Sequence, residues 1–331
     1  MSSLTDVAKH SGFSIATVSR VINESDNVTA KTREAVQKSM DELGYVPNRV
    51  ARRLRQKGGH RHLLGLILPD IQNPFYAEIA RGIEDVAYAN NFAALLCNSD
   101  DRLKKEEFYI NVMHAETVDG VILSPNQESD QAVTDLIDRG MPVVIVDRTL
   151  RDVEADTVEV GNFEGAQAAV QHLIKLGHTR IGHISGPESI SNSRRRRRGY
   201  QQALEEAGIT IDPGYIREGD WKQKTGRKLT LDLLNLPTPP TALFVSNNLM
   251  AIGALEAIHQ QGLKVPNDVA LIGFDDLPWA EALDPPLTVV RQPSYKVGQV
   301  AAEMLLNRLN HPETPVEVRR LEPELVIRKS C

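Results

Sequence analysis

From residue 63 onward, short apolar runs alternate with segments long enough to form helices, and this alternation restricts the fold more than any other feature of the chain. The runs lie at 63–68, 93–97, 120–123, 143–146, 181–184, 242–245 and 269–274. Strands that are apolar almost throughout are buried on both faces, and a following helix-length segment supplies the crossover that a parallel sheet needs. Their number suggests two such sheets. Ligands of open α/β sheets bind outside the carboxyl ends of the strands. The residues just past the runs are polar: Asp70, Asn98, Ser124, Asp147, Asn247 and Asp275. Converging carboxylates and amides, with Phe75 and Trp221 to cover apolar ring faces, suit a polyhydroxylated ligand. Taken singly, each Asp or Asn fits the cap of a following helix as well as it fits a ligand contact. The set points to a binding site more strongly than its members do.

At 331 residues, 41% hydrophobic and 25% charged, the chain has the composition of a globular protein of two or three domains. No apolar stretch approaches the length of a membrane span, and the start at Met1-Ser2-Ser3-Leu4 lacks the pattern of a secretory signal. A cytoplasmic location with no membrane partner is the expectation. Cys97 and Cys331 read as incidental thiols. The net charge of -6 is unevenly spread: residues 1–62 hold 11 Lys/Arg against 6 Asp/Glu, and the remainder 27 against 38. A basic head on an acidic body suggests that the head meets a polyanion, with chance fluctuation as the alternative that motifs must decide.

The head reads as three short helices. Small Ala8 permits close helix approach, Gly12 permits a sharp turn, and Ser14 stands where an N-cap is needed. In the next helix Val18, Val21 and Ile22 share one face, leaving Ile15, Ala16, Ser19 and Arg20 outward. Such a face suits the DNA major groove. Arg20 has the donors for guanine O6 and N7, and Ile15 and Ala16 the apolar surface for thymine methyls. Thr17, Ser19 and Asn23 are placed for phosphates. A third helix runs from an N-cap at Thr29 through Val36 and Met40 to Leu43, with Gly44 as its stop. After the break at Tyr45-Val46-Pro47-Asn48, residues 48–55 form either about two helical turns or a charged linker, before Gly58-Gly59.

The ordered motifs Asp6-Val7-Ala8, Thr17-Val18-Ser19-Arg20-Val21-Ile22-Asn23, Leu43-Gly44-Tyr45-Val46-Pro47-Asn48 and Ala51-Arg52-Arg53-Leu54 resemble those of the lactose/galactose repressor (LacI/GalR) family, and the likeness runs to the last strand at 324–328. The resemblance implies an N-terminal all-α helix-turn-helix domain at 1–47, a hinge helix and linker at 48–60, and a two-lobed, periplasmic-binding-protein-like α/β domain with parallel sheets at 61–331. Within that domain it implies one lobe of about 61–160 and 293–318 and a second of about 161–291 and 319–331. It also implies a homodimer on a near-palindromic double-stranded operator with a central CpG step, Leu54 wedging into the minor groove. The implied DNA-contacting set is Thr5, Ser14, Ile15, Ala16, Thr17, Ser19, Arg20, Asn23, Asn48, Ala51 and Leu54.

For the effector, the resemblance matches Arg196, Trp221, Asn247, Asp275 and Gln292 to contact positions, and Asp70, Asn73, Phe75, Asp147 and Arg148 complete the expected set. Arg196 also stands out by itself, on one stripe with Tyr200, Ala203 and Ala207, so it points inward although its neighbours in the Arg194–Arg198 run read as solvated surface. Asn248 departs from the family, many members of which carry Asp there. A neutral sugar, a sugar acid and a sugar phosphate all remain open as effector. The tetramerising leucine heptad of some members is absent before Cys331, which favours a dimer. No catalytic, P-loop, dinucleotide or metal motif occurs, so neither an enzyme nor a cofactor is expected. A sugar-transport protein is the other alternative, and it has no use for residues 4–55. The expected role is a repressor of a carbohydrate-related operon under allosteric control.

Overall fold

A computed structural model of the chain describes residues 4–22, 28–43, 45, 63–151 and 153–331. The chain divides into two compact units, Met1–Arg61 and His62–Cys331. In the first unit, α1 (Leu4–Ser11), α2 (Ile15–Ile22) and α3 (Ala30–Glu42) pack around Val7, Val18 and Val36, all fully buried, with Ala8, Val21 and Met40 beside them. Gly12, at φ +73°, makes the turn between α1 and α2. Ser14 Oγ accepts the Thr17 amide at 3.1 Å, and Thr29 caps α3 through the Thr32 amide at 3.3 Å. Both caps take the places their residue types require. The hinge segment 48–60, with Asn48, Ala51 and Leu54, and also Asn23 and Gly44, lie outside the described residues.

The second unit holds two six-stranded sheets. One contains β1 (Leu63–Leu68), β2 (Ala93–Asn98), β3 (Gly120–Leu123), β4 (Val143–Val146), β5 (Asp156–Val160) and β11 (Val318–Leu321), in the order β11-β5-β4-β3-β1-β2. The other contains β6 (Ile181–Ser185), β7 (Ile216–Glu218), β8 (Ala242–Val245), β9 (Ala270–Phe274), β10 (Thr288–Arg291) and β12 (Glu324–Val326), in the order β12-β10-β9-β8-β6-β7. Every pairing is parallel except β10 with β12. Each sheet is covered on both faces, which is why its central strands β1, β3, β4, β8 and β9 are apolar. The first lies between the pair α4 (Pro74–Ala89) and α11 (Ser294–Asn310) and the pair α5 (Leu103–Ala115) and α6 (Gln131–Asp138). The second lies between α7 (Asn162–Lys175) with α8 (Ser191–Glu206) and α9 (Gln223–Leu234) with α10 (Asn248–Gln260). None of these helices is long and apolar enough to cross a membrane, among the described residues.

Three expectations need correction. No helix follows the run at 143–146; among the described residues, 147–155 is a loop that leads directly into β5, the parallel neighbour of β4. Strands β5, β7, β10 and β11 were not marked by apolar runs, because they are short or lie near sheet edges; β11 is largely exposed. The return to the second lobe falls after Leu321 rather than at 318, since Val318–Leu321 pairs with β5 of the first sheet.

Candidate functional site

The cleft between the two sheets is built at the carboxyl ends of their strands. Asp70 follows β1, Asp147 follows β4, Asn247 follows β8 and Asp275 follows β9; with Asn73, Phe75, Tyr76, Asp101, Arg148, Asn192, Arg196 and Trp221 they line one cleft. Four of these residues hold left-handed backbone: Asp101 (φ 54°), Asp147 (66°), Trp221 (69°) and Asp275 (71°). Such conformations cluster where a surrounding structure fixes side chains for a ligand, and for a residue as bulky as Trp they are genuinely rare. The Trp221 indole lies against Gly186, where a Cβ would come within 2.0 Å of the ring.

Arg196 is 2% exposed and extends under the cleft. Its Nε donates to Asn162 Oδ1 at 2.7 Å and its Nη1 to the Ser246 carbonyl at 2.5 Å, while the guanidinium stacks 3.7 Å from the Phe274 ring. Asp275 Oδ2 lies 3.9 Å from Nη1. Burial pushes the Asp275 carboxyl up to about 6, against the opposing pull of Arg196 and of the Gln292 amide. Asp147 accepts the Tyr76 hydroxyl at 2.8 Å and the Asn192 amide at 3.2 Å. Arg148 donates to Asp101 at 2.7 Å and to the Pro125 carbonyl at 3.2 Å. Asp70 is held by Lys222 at 2.5 Å.

Three polar atoms of cleft-lining residues are buried with no hydrogen-bond partner among the described residues: Arg148 Nε, which lies 3.9 Å from Asp147 Oδ2, Asn192 Oδ1 and Trp221 Nε1. Native structures seldom leave such groups orphaned, since each carries a desolvation cost of about 1–3 kcal/mol. Residues that line the cleft thus carry two donors and one acceptor without a hydrogen bond.

Of the expected effector residues, Asp70, Asn73, Phe75, Asp147, Arg148, Arg196, Trp221, Asn247 and Asp275 come together here. Gln292 does not line the cleft; its Nε2 donates to Asp275 Oδ1 at 2.5 Å and steadies that carboxylate from behind. Asn73 and Asn247 also cap helices, accepting the Phe75 and Met250 amides, so both readings of these residues hold at once. Asn98 and Ser124 stay outside, and from the β2 end Asp101 reaches in instead. Tyr76, Asp101 and Asn192 escaped the sequence reading, although Asn192 precedes Arg196 by four residues on one helix face. The Asn248 departure has a structural use: its Nδ2 donates to Asn73 Oδ1 at 2.9 Å, a bond that a carboxylate cannot donate.

The arginine run is not bare solvated surface. Arg194 pairs with Glu128, Arg195 with Glu159, Arg197 with Glu188 and Arg198 with Glu205. On the stripe through Arg196, Tyr200 and Ala203 are buried as expected, whereas Ala207 is exposed at the helix end. Among the described residues, no group of three or more His, Cys, Asp or Glu is placed to hold a metal ion.

In the first unit, α2 turns Ile15, Ala16 and Arg20 to the exterior while Val18 and Val21 are buried. Thr5 and Ser14 are exposed, and Thr17 and Ser19 half-buried.

Residues 3–48 match the model described as bacterial regulatory proteins, lacI family, and residues 170–331 that of a periplasmic binding protein-like domain. The chain is 36% identical over 327 residues to the HTH-type transcriptional repressor CytR of Escherichia coli (strain K12), covering 99% of this chain and 95% of that one. A lac repressor dimer bound to operator and the anti-inducer ONPF superposes with a TM-score of 0.81 at 30% identity, over 99% of this chain and 98% of that one. A LacI family transcriptional regulator from Enterococcus faecium with bound ribose gives 0.75 at 30% identity, over 81% and 98%. A three-helix head with an outward α2 face, two parallel-dominated sheets around a polar cleft, and near full-length likeness to these regulators lead to one conclusion: the chain belongs to the LacI family of bacterial regulatory proteins.

Proposed function

We propose that this protein is an effector-controlled transcriptional repressor that binds a near-palindromic operator as a homodimer and takes a neutral, sugar-like ligand in the cleft between its two sheets. The observation that carries the reading is the set of buried groups on cleft-lining residues that lack a hydrogen bond, Arg148 Nε, Asn192 Oδ1 and Trp221 Nε1. Together with the Asp147 and Asp275 carboxylates they supply both donors and acceptors, as hydroxyl groups require. Charge favours a neutral ligand over a sugar acid or phosphate. Four carboxylates line the cleft against two arginines, and Arg148 is already engaged by Asp101 and Arg196 by the Ser246 carbonyl and Asn162. The ribose-bound neighbour supports the class, without fixing which sugar.

DNA recognition is assigned to α2, with Arg20, Ile15 and Ala16 reading bases and Thr5, Ser14, Thr17, Ser19 and Asn23 holding phosphates. Asn48, Ala51 and Leu54 complete the set by resemblance. Dimerisation is supported by an apolar face around the sheet edge: Leu96 on β2 is 44% exposed and Phe108 on α5 60%. An edge strand flanked by such residues is a surface that a second copy would cover. Ligand-dependent movement of the two lobes then alters operator affinity, with a typical coupling of about 1–3 kcal/mol.

A thermal-shift screen of the full chain against pentoses, hexoses, disaccharides, nucleosides, sugar acids and sugar phosphates tests the ligand class. A ligand at 100 times its Kd adds about 2.7 kcal/mol of native-state stability. The expected hits are neutral and alter operator affinity at fixed salt. Hits confined to phosphorylated or acidic compounds overturn the neutral assignment, and a hit without effect on operator binding removes the allosteric one.

A further inference from the structure

Next to Arg148, but not lining the cleft, is a second buried polar group. Glu106 and Ser124 are fully buried, and Asp130 and Asn126 are 4% and 8% exposed. Glu106 stands in the first turn of α5 and accepts the Asn126 backbone N–H with both carboxyl oxygens, at 3.4 and 3.2 Å. Its carboxyl also lies within hydrogen-bond reach of Asp130. Asp130 caps α6: its Oδ1 accepts the amides of Ala132 and Val133 at 3.0 and 3.2 Å. Asp130 Oδ2 is buried and has no donor among the described residues when Glu106 is ionised. Two carboxylates in contact at a buried site do not both ionise. A proton on Glu106 removes the repulsion and at the same time supplies the donor that Oδ2 lacks.

The elements joined by Glu106 are those that grip Arg148. Arg148 donates to Asp101, in the loop that leads into α5, and to the carbonyl of Pro125, the residue before Asn126. We propose that Glu106 is a positioning residue for the effector site: as a neutral acid bridging Asn126 and Asp130, it fixes the Pro125–Asn126 turn and thereby the guanidinium of Arg148. The role rests on Arg148 being an effector-facing group, as assigned above. Neutrality has a purpose here. An ionised Glu106 would compete for the charge of Arg148, which is otherwise left to Asp101, Asp147 and a ligand.

The titratable groups acting on Glu106 are Asp130 and Arg148. Burial, reinforced by Asp130, pushes its carboxyl up to about 9, against the pull of the Asn126 amide and Arg148. The unfolded chain titrates this group near the ordinary value of about 4.3. Between those values the folded chain holds one more proton than the unfolded chain, so Glu106 makes the protein progressively less stable as pH rises from about 4 to 9.

Thermal unfolding of the full chain across that range, with crystal structures of the variants, tests the proposal without needing an effector. Glu106→Gln, isosteric with the neutral acid, is expected to match wild type near pH 4.5 and to exceed it in Tm by a margin that widens toward pH 9, with Arg148 still on the Pro125 carbonyl. Glu106→Ala, or Glu106→Asp if the alanine variant does not fold, is expected to displace the guanidinium from that carbonyl. A Tm offset between Glu106→Gln and wild type that is the same at every pH overturns the neutral bridge, and an unmoved Arg148 in the shortened variants overturns the positioning role. Since no arm uses a ligand, failure of the effector screen with these outcomes intact would count against the cleft assignment and not against Glu106.

Discussion

Asp275 combines burial with a proposed ligand contact that would use its charge. It is 4% exposed, and burial lifts its carboxyl to about 6 although Arg196 and Gln292 oppose the shift and Asp147 adds to it. Its folded value exceeds the unfolded one, so the stability tied to its proton is present in full below about pH 4 and is lost as pH rises through about 6. Ligand binding should run the other way. A carboxylate accepts two hydroxyls where a carboxylic acid must spend one oxygen as a donor. For a neutral sugar found in the screen, affinity is expected to be about tenfold weaker at pH 5 than at pH 7, measured by calorimetry at constant ionic strength. Asp275→Asn should bind weakly at both values and lose the dependence. A flat wild-type profile would show that Asp275 meets the ligand in one protonation state throughout.

At the scale of elements, α2 carries the prediction for DNA. Val18 and Val21 are buried with Val7 and Val36, so the orientation of the helix is set by packing, and Arg20 is left on the outer face. Arg20→Ala should cost about 1–3 kcal/mol on the preferred operator and relax selection at one base position per half-site, with little change on random DNA. Equal losses on both DNAs, by fluorescence anisotropy at one salt concentration, would reassign Arg20 to a phosphate.

The elements also explain what the sequence disclosed. Central strands such as β1, β3, β4 and β8 are bounded in the structure as their apolar runs are bounded in the chain, because a strand covered on both faces admits few polar residues. Edge strands carry no such demand: β11 reads Val318-Arg319-Arg320-Leu321 and resembles a loop. Asp147 and Asp275 were legible because strand ends are where α/β sheets bind ligands. Asp101 was not, since β2 is an edge strand and the residue that enters the cleft lies three positions beyond its end. Nor was the function of Gln292 behind Asp275, which depends on the passage of the chain from β10 toward α11.

Across the whole second unit, the two sheets are joined by ion pairs as well as by chain crossings. Arg194 and Arg195 of α8 reach Glu128 and Glu159 of the first lobe, and Lys222, just before α9, reaches Asp70. Arg151 shares Glu128 with Arg194, which makes that pair part of a small network. The basic ends are 36%, 40% and 45% exposed, so each contact should contribute only about 0.2–1 kcal/mol and be open to screening. Together they tie the two lobes to each other beside the cleft. Sugar affinity is therefore expected to fall severalfold as salt rises from 0.05 to about 0.5 M, where the Debye length drops below the roughly 10 Å of 0.1 M salt. The double variant Glu128→Gln with Glu159→Gln touches no cleft-lining residue, yet it should bind roughly 3- to 10-fold more weakly at low salt and show a flatter salt response. Trp221, whose indole lies in the cleft, offers a fluorescence readout, with Trp279→Phe as the background that isolates it. Unchanged affinity in the double variant would mean that the arginine run decorates the rim without holding the lobes together, leaving the balance between open and closed forms to Asp70–Lys222 and the buried contacts of Asp147 and Asn73.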